Sequence, residues 1–394
     1  MGIADTVRIV GLAGKVGAQV LRERYGPPVR LSRPSTVPPS AESITPDWLT
    51  PVLCHGTPGA QVLDVRSTGG HSGTSARRGL RITYNNAGQQ AGLPTALFSK
   101  STATFTSRLL LGATEIVAGE TIFYNQVRPE LELRGPAAYY AGFDPRTYRS
   151  MLLLNDLSEL DWTFPEPMTN KVTRADAEDV VEQLATYHGA FWNSPRFGFD
   201  LRPLRSTVAW QRSLNRISFA KRTLKGLERA RAAVPDRLYG RRAELQPALM
   251  RSLALQERGP ATLLHQDLHL GNWLRDPDGR MGIYDWQCVG RGLWAQDLSY
   301  ALGATLPTAD RRDWEPDLLR LYLDRLTAAG VAEPPGFDAA WLAYRQQPLH
   351  ALTLALFSLG GSVLENELQP RGYLLWAIER IAQQVADLGT LDAL

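Results

Sequence analysis

A chain of 394 residues with 44% hydrophobic and 21% charged residues has the bulk for two packed lobes and the balance of an ordinary globular protein. The net charge is only +3, the basic side is nearly all arginine with five lysines, and no polybasic run marks a nucleic-acid binder. No apolar stretch is long enough to span a membrane, and Cys54 and Cys288 stand too far apart to suggest a metal site or disulfide framework, as expected of two buried thiols in a cytoplasmic protein.

The N-terminus lacks the apolar core of a secretory signal. It begins MGIADT, which fits the myristoylation pattern at Gly2 but is short and common. Residues 1–25 alternate small and apolar side chains and predict one helix. Gly14-Lys15-Val16 is no phosphate loop, because Ile9 stands where a Gly is needed and Val16 where a Ser or Thr is needed. Residues 26–46, rich in Pro and Ser, read as a linker or an extended wrap.

Short strands are predicted at 62–65, 80–84, 95–100 and 150–154, with a Gly/Ser stretch between the first two and helical spacing over 106–127. Beyond 170 the apolar residues recur at i, i+3, i+4. They predict helices at 174–192, 208–233, 240–256, 316–329, 338–357 and 372–388, interrupted by a strand hairpin at 272–285.

The sharpest segment is LLHQDLHLGNWLRDPDGRMGIYDW, residues 263–286, in which His265, Asp267 and Asn272 stand as H-x-D-x(4)-N. Asp276-Pro277-Asp278-Gly279 is a turn: Pro presets φ, Asp bonds its own backbone, and Gly takes positive φ. A hairpin about this turn brings its open ends, Asn272 and Asp285, together. Two oxygen-bearing side chains there suit Mg²⁺. Asp267, in the loop entering the hairpin, is placed to receive a proton from a hydroxyl. Taken singly, an Asp or Asn in a loop is more often a turn residue, and His269 a packing residue.

This arrangement resembles the catalytic and metal loops of the protein-kinase-like superfamily, and more closely its small-molecule branch: aminoglycoside and choline phosphotransferases and the ecdysteroid-kinase-like group. Asp285-Trp286-Gln287 departs from the D-F-G of protein kinases and is similar to the ecdysteroid-kinase-like group. The resemblance implies Asp267 as catalytic base, His265 as a brace of the loop, and Asn272 and Asp285 as Mg²⁺ ligands.

The same resemblance implies four upstream features, in fixed order. A Gly-rich turn over 67–75 would put Gly70, Ser72, Gly73 and Thr74 around phosphates, although a plain hairpin loop reads equally well. Lys100 ends the third strand. Glu120 shares a helical face with Ile116, Phe123 and Val127, so its carboxylate needs a partner, and Lys100 is the natural one. Glu115, about 140° away around the helix, is the poorer choice. Met151 to Ser158 resembles the family's hinge strand, where backbone at Asn155, Asp156 and Leu157 would meet adenine, the alternative being a buried strand capped by Asn-Asp. Asp297, in WAQDLSYAL, would cap a helix and brace the loop.

The expected fold is therefore α+β and two-lobed. Residues 1–46 form a helix and linker, 47–155 a small β-rich nucleotide lobe, and 156–394 a larger helical lobe with the catalytic loop, metal site and acceptor pocket. The expected activity is transfer of the γ-phosphate of ATP, bound with Mg²⁺ in the cleft, to a small-molecule hydroxyl. The competing reading is a nucleotide-binding pseudokinase or scaffold without transfer. The acceptor is not legible. Residues 290–394 hold 13 acids against 8 Arg, residues 156–260 hold 13 against 17 Lys and Arg, and tryptophans such as Trp210, Trp294, Trp341 and Trp376 suit helix packing or an apolar pocket.

Overall fold

The computed structural model describes residues 3–72, 75–102, 104–114, 116–361 and 369–394. Two compact units make up the chain: Met1–Pro129 with Pro136–Asp161, and Glu130–Gly135 with Trp162–Leu394.

The first unit is built on an antiparallel sheet. Its strands are β1 (Val62–Ser72), β2 (Ala76–Tyr84), β3 (Ala96–Ser101), β4 (Ala138–Asp144) and β5 (Arg149–Asn155), in the order β1-β2-β3-β5-β4. Leu80, Ile82 and Tyr84 alternate along β2 onto one face, where Leu97, Met151 and Leu153 join them in the core. The helix Pro46–Leu53 covers that face with Trp48, which is 1% exposed. The Pro/Ser-rich stretch before it is a wrap. Trp48 Nε1 donates to the carbonyls of Arg33 and Thr36 at 3.1 Å each, and Val37, Ala41 and Ile44 are buried in the same core.

Two expectations need correction here. The first strand runs on to Ser72, so Gly70 and Ser72 lie in a paired strand rather than an open turn, Gly70 opposite Arg78 and Ser72 opposite Ala76. Gly73 and Thr74 lie outside the described residues. The helix expected over 106–127 is two, Phe105–Ala113 and Val117–Ile122, the second continuing as a π turn, Phe123–Val127. Gly112 and Thr114, poor helix formers, stand at the break. Glu115 is outside the described residues.

The second unit is mainly helical. Its longer helices are Arg174–Ala190, Leu245–Leu255, Ala295–Thr305, Thr308–Ala328 and Arg371–Asp387. The helix expected over 208–233 breaks into Thr207–Asn215 and Phe219–Arg229 around Ser218, which is left-handed at φ 62°. The one expected over 338–357 breaks into Phe337–Gln346 and Leu349–Leu359 at Pro348, which has no N–H to donate and crowds the residue before it. Two small antiparallel sheets carry the loops of interest: β6 (Ala261–Leu264) with β9 (Gly290–Leu293), and β7 (Trp273–Arg275) with β8 (Met281–Ile283). Among the described residues no helix is long and apolar enough to cross a membrane.

Candidate active site

The hairpin β7–β8 forms as its turn chemistry predicts. Gly279 takes φ 80°, its N–H donates to the Asp276 carbonyl at 2.9 Å, and the Asp276 side chain accepts from the Asp278 N–H at 3.0 Å. At the open end the Tyr284 N–H donates to the Asn272 carbonyl at 3.1 Å. Asn272 and the residue after Tyr284, Asp285, therefore stand at joined strand ends. Asp285 is left-handed at φ 62°, as is Gln266 at φ 68°. Non-glycine residues held in this region store strain and cluster at functional sites.

The loop from β6 to β7 is held from beneath by one carboxylate. Asp297, fully buried on the helix Ala295–Thr305, accepts the N–H of His265 at 2.6 Å, the N–H of Gln266 at 3.0 Å and the Tyr187 hydroxyl at 2.8 Å. His188 Nε2 lies 3.5 Å away. Burial pushes the Asp297 carboxyl up, but the His188 imidazole beside it and the His265 backbone N–H outweigh it and hold the group below its ordinary range. The loop-bracing role expected of Asp297 is thus seen. Helix capping is not, because its oxygens point to another segment.

His265 is buried and braces the loop in turn. Its Nδ1 accepts the Asp267 N–H at 3.3 Å, its Nε2 donates to the Tyr284 carbonyl at 3.0 Å, and its ring packs on Trp286 with centroids 4.7 Å apart. Burial lowers its pKa, so the ring is neutral and acts as a spacer between the two loops. Gln266, buried, sends its carbonyl to His350 Nε2 at 3.0 Å and its amide nitrogen to the Cys288 carbonyl at 2.9 Å.

Asp267 keeps 28% of its side chain exposed amid this buried scaffold. Its Oδ1 accepts the Tyr300 hydroxyl at 3.1 Å, and its carbonyl accepts Asn272 Nδ2 at 2.7 Å. The latter bond uses the nitrogen of the Asn272 amide and leaves its oxygen as a donor atom. Asn272 and Asp285 are two oxygen-bearing side chains of the kind a hard divalent cation takes alongside waters and phosphate. Among the described residues, no group of three or more His, Cys, Asp and Glu could hold a metal. His269 caps the turn Leu270–Asn272, its Nδ1 accepting the Gly271 N–H at 3.1 Å.

In the first unit, Lys100 on β3 donates to both oxygens of Glu120 at 2.8 Å, with side chains only 7% and 10% exposed. The pairing argued from the apolar helix face is present. At the end of β5 the Asn155 side chain accepts the Ala137 N–H at 2.8 Å, and Asp156 caps Ser158, accepting its hydroxyl at 2.6 Å and its N–H at 3.3 Å. Those side chains do local capping work, and Leu157 is buried.

Sequence reasoning did not single out Tyr187, His188, Gln266, His350 or Tyr300. No signal in the sequence around Tyr300, three residues after Asp297, pointed to its role. The tryptophans pack. Trp294 stacks on Tyr322 with centroids 4.9 Å apart, Trp341 on Phe337 at 6.1 Å and Trp376 on Tyr373 at 5.7 Å.

A family model described as the phosphotransferase enzyme family matches residues 117–349. The chain belongs to this family. The matched span of this phosphotransferase contains Glu120, Asp267, Asn272, Asp285 and Asp297, while Lys100 and the β1–β2 turn precede it. The chain consists of a smaller sheet-bearing unit and a larger, mainly helical one. Solved structures similar to the phosphotransferase include the choline kinase of Streptococcus pneumoniae, with 14% identity, 83% of this chain and 94% of that one covered, and a TM-score of 0.43. The macrolide 2'-phosphotransferase of Brachybacterium faecium shares 14% identity over 78% of this chain and 91% of that one, with a TM-score of 0.42. An ethanolamine kinase of Plasmodium vivax shares 10% identity over 81% of each chain, with a TM-score of 0.44. No curated protein matches the chain in sequence.

Proposed function

We propose that this phosphotransferase moves the γ-phosphate of ATP to a hydroxyl group of a small molecule, with Asp267 as the proton acceptor. The observation that carries the reading is Asp267 itself, a partly exposed carboxylate fixed at its backbone and at Oδ1, beside the joined strand ends that bear Asn272 and Asp285. In this reading Asp267 orients the acceptor hydroxyl and takes its proton. Such general-base assistance contributes roughly 10²- to 10⁴-fold to rate.

Asn272 and Asp285 would hold Mg²⁺, which would supply positive charge against the phosphates. Lys100, kept in place by Glu120, gives its ammonium to the phosphates. Backbone at Asn155–Leu157 meets the base, since the side chains of Asn155 and Asp156 are engaged locally. His265 and Asp297 set the loop and take no proton from substrate.

The test is a pool of hydroxylated metabolites and antibiotics incubated with ATP, Mg²⁺ and the protein, read by mass spectrometry for phosphorylated products. The reading expects a phosphorylated alcohol that depends on Mg²⁺ and is missing with Asp267→Asn. A product phosphorylated at an amine or carboxylate, or one formed equally by Asp267→Asn, would contradict it.

A further inference from the structure

We infer that Tyr300 is a positioning residue that pins one oxygen of Asp267 so that the other, Oδ2, is presented to the acceptor hydroxyl. The inference rests on the reading of Asp267 as proton acceptor and adds which of its oxygens works and what aims it.

Asp297 and Tyr300 stand three residues apart on the helix Ala295–Thr305, and so on one face. The first binds the N–H groups of His265 and Gln266, and the second donates its hydroxyl to Asp267 Oδ1 at 3.1 Å. One helix face thus grips three consecutive loop residues, two by backbone and the third by its working side chain. Tyr300 is 4% exposed, and its ring meets His350 edge-on with centroids 6.1 Å apart. His350 is itself fixed to the Gln266 carbonyl. The hydroxyl therefore has little room to swing.

Burial and the Asp267 carboxylate hold the Tyr300 phenol well above its ordinary range, so it carries its proton and acts as a donor. His269 Nε2, 3.8 Å away, flanks the same Oδ1. Among the described residues Oδ2 makes no hydrogen bond, while the side chain stays partly open to solvent. The division of labour follows from this. Oδ1 is held by a neutral donor. Oδ2 takes the hydroxyl proton as the acceptor oxygen bonds to phosphorus and ADP leaves with the electron pair of the broken P–O bond.

Tyr300→Phe keeps the ring and removes only the donor, so a packing role predicts that it behaves as the native protein does. The measurement is steady-state hydrolysis of MgATP, with water as the acceptor, by the native protein, Tyr300→Phe and Asp267→Asn. The expected result is a kcat about tenfold to a hundredfold lower in Tyr300→Phe, with the KM for ATP within about twofold, the size of effect one hydrogen bond to a charged group supports. A native kcat in Tyr300→Phe, with Asp267→Asn impaired, overturns the inference and leaves the Asp267 reading standing. Native hydrolysis by Asp267→Asn overturns the Asp267 reading and the inference with it. Crystal structures provide a readout that does not depend on turnover. Tyr300→Phe should show the Asp267 carboxylate in more than one orientation, and a single orientation identical to the native one would overturn the proposal.

Discussion

Asp297 has two oxygens and three hydrogen-bond donors aimed at them from residues on two other segments, all out of contact with water. Replacing it with Ala strands two backbone N–H groups and a phenol in the interior. Each buried donor left without its acceptor costs about 1–3 kcal/mol. Asp297→Ala is expected to lose stability on that scale in urea unfolding, and a native midpoint would show that the loop does not lean on this carboxylate. The residues proposed to carry chemistry were largely legible one at a time. Asp267, Asn272 and Asp285 follow from a turn whose chemistry fixes a hairpin, and Glu120 from a charge on an apolar face. Tyr300 was not, because its role depends on which loop passes its helix face. Nothing in the spacing of WAQDLSYAL says that Asp267 lies there.

The N-terminal helix, Ile3–Tyr25, shows how an element outside the matched family span is tied down. Glu23 near its end accepts both terminal nitrogens of Arg108, at 2.9 and 2.7 Å, and lies 3.2 Å from Arg149 Nε. Arg108 is fully buried and also donates to the Thr102 carbonyl at 2.8 Å, two residues past Lys100. Burial pushes the Glu23 carboxyl up, but hydrogen bonds from Arg108 and Gln19 and the two guanidinium charges bring it below its ordinary range. Glu23→Ala leaves a buried guanidinium short of its counter-charge and should lower stability by about 3–5 kcal/mol. A thermal midpoint equal to the native one would mean that the helix docks by apolar packing alone. At this scale the sequence is a partial guide. Strands of alternating or apolar residues were read. The strands missed were β4, an edge strand with an interrupted pattern (AYYAGFD), β9, half glycine (GRGL), and β6, four residues long. Helix breaks at Ser218 and Pro348 were passed over because the apolar stripe continues across them.

For the molecule as a whole, buried histidines set a limit on the acid side. His188 lies against Tyr187, Tyr322 and Asp297, and His350 against Trp210, Tyr300 and the Gln266 carbonyl. Burial lowers the pKa of both, only partly opposed by Asp297 beside His188 and by the Gln266 hydrogen bond to His350. In the unfolded chain each titrates near its ordinary value of 6.5. Above that pH neither state binds the proton, and their contribution is complete. Below it the unfolded state binds protons that the folded state refuses, so stability falls as pH drops toward the lowered folded values, by up to about 1.4 kcal/mol per pH unit for each histidine. Urea unfolding from pH 7.5 to 5 should show that decline, and a flat or rising profile would contradict it. The proposed function turns on Asp267 taking the proton in a phosphoryl transfer. Its most direct test is the transfer rate at saturating MgATP, for the native protein and Asp267→Asn, beside the nucleotide affinity of each. The expected result is a rate roughly 10²- to 10⁴-fold lower in Asp267→Asn with affinity nearly unchanged. An equal rate in the two proteins would contradict it, as would a loss confined to nucleotide binding.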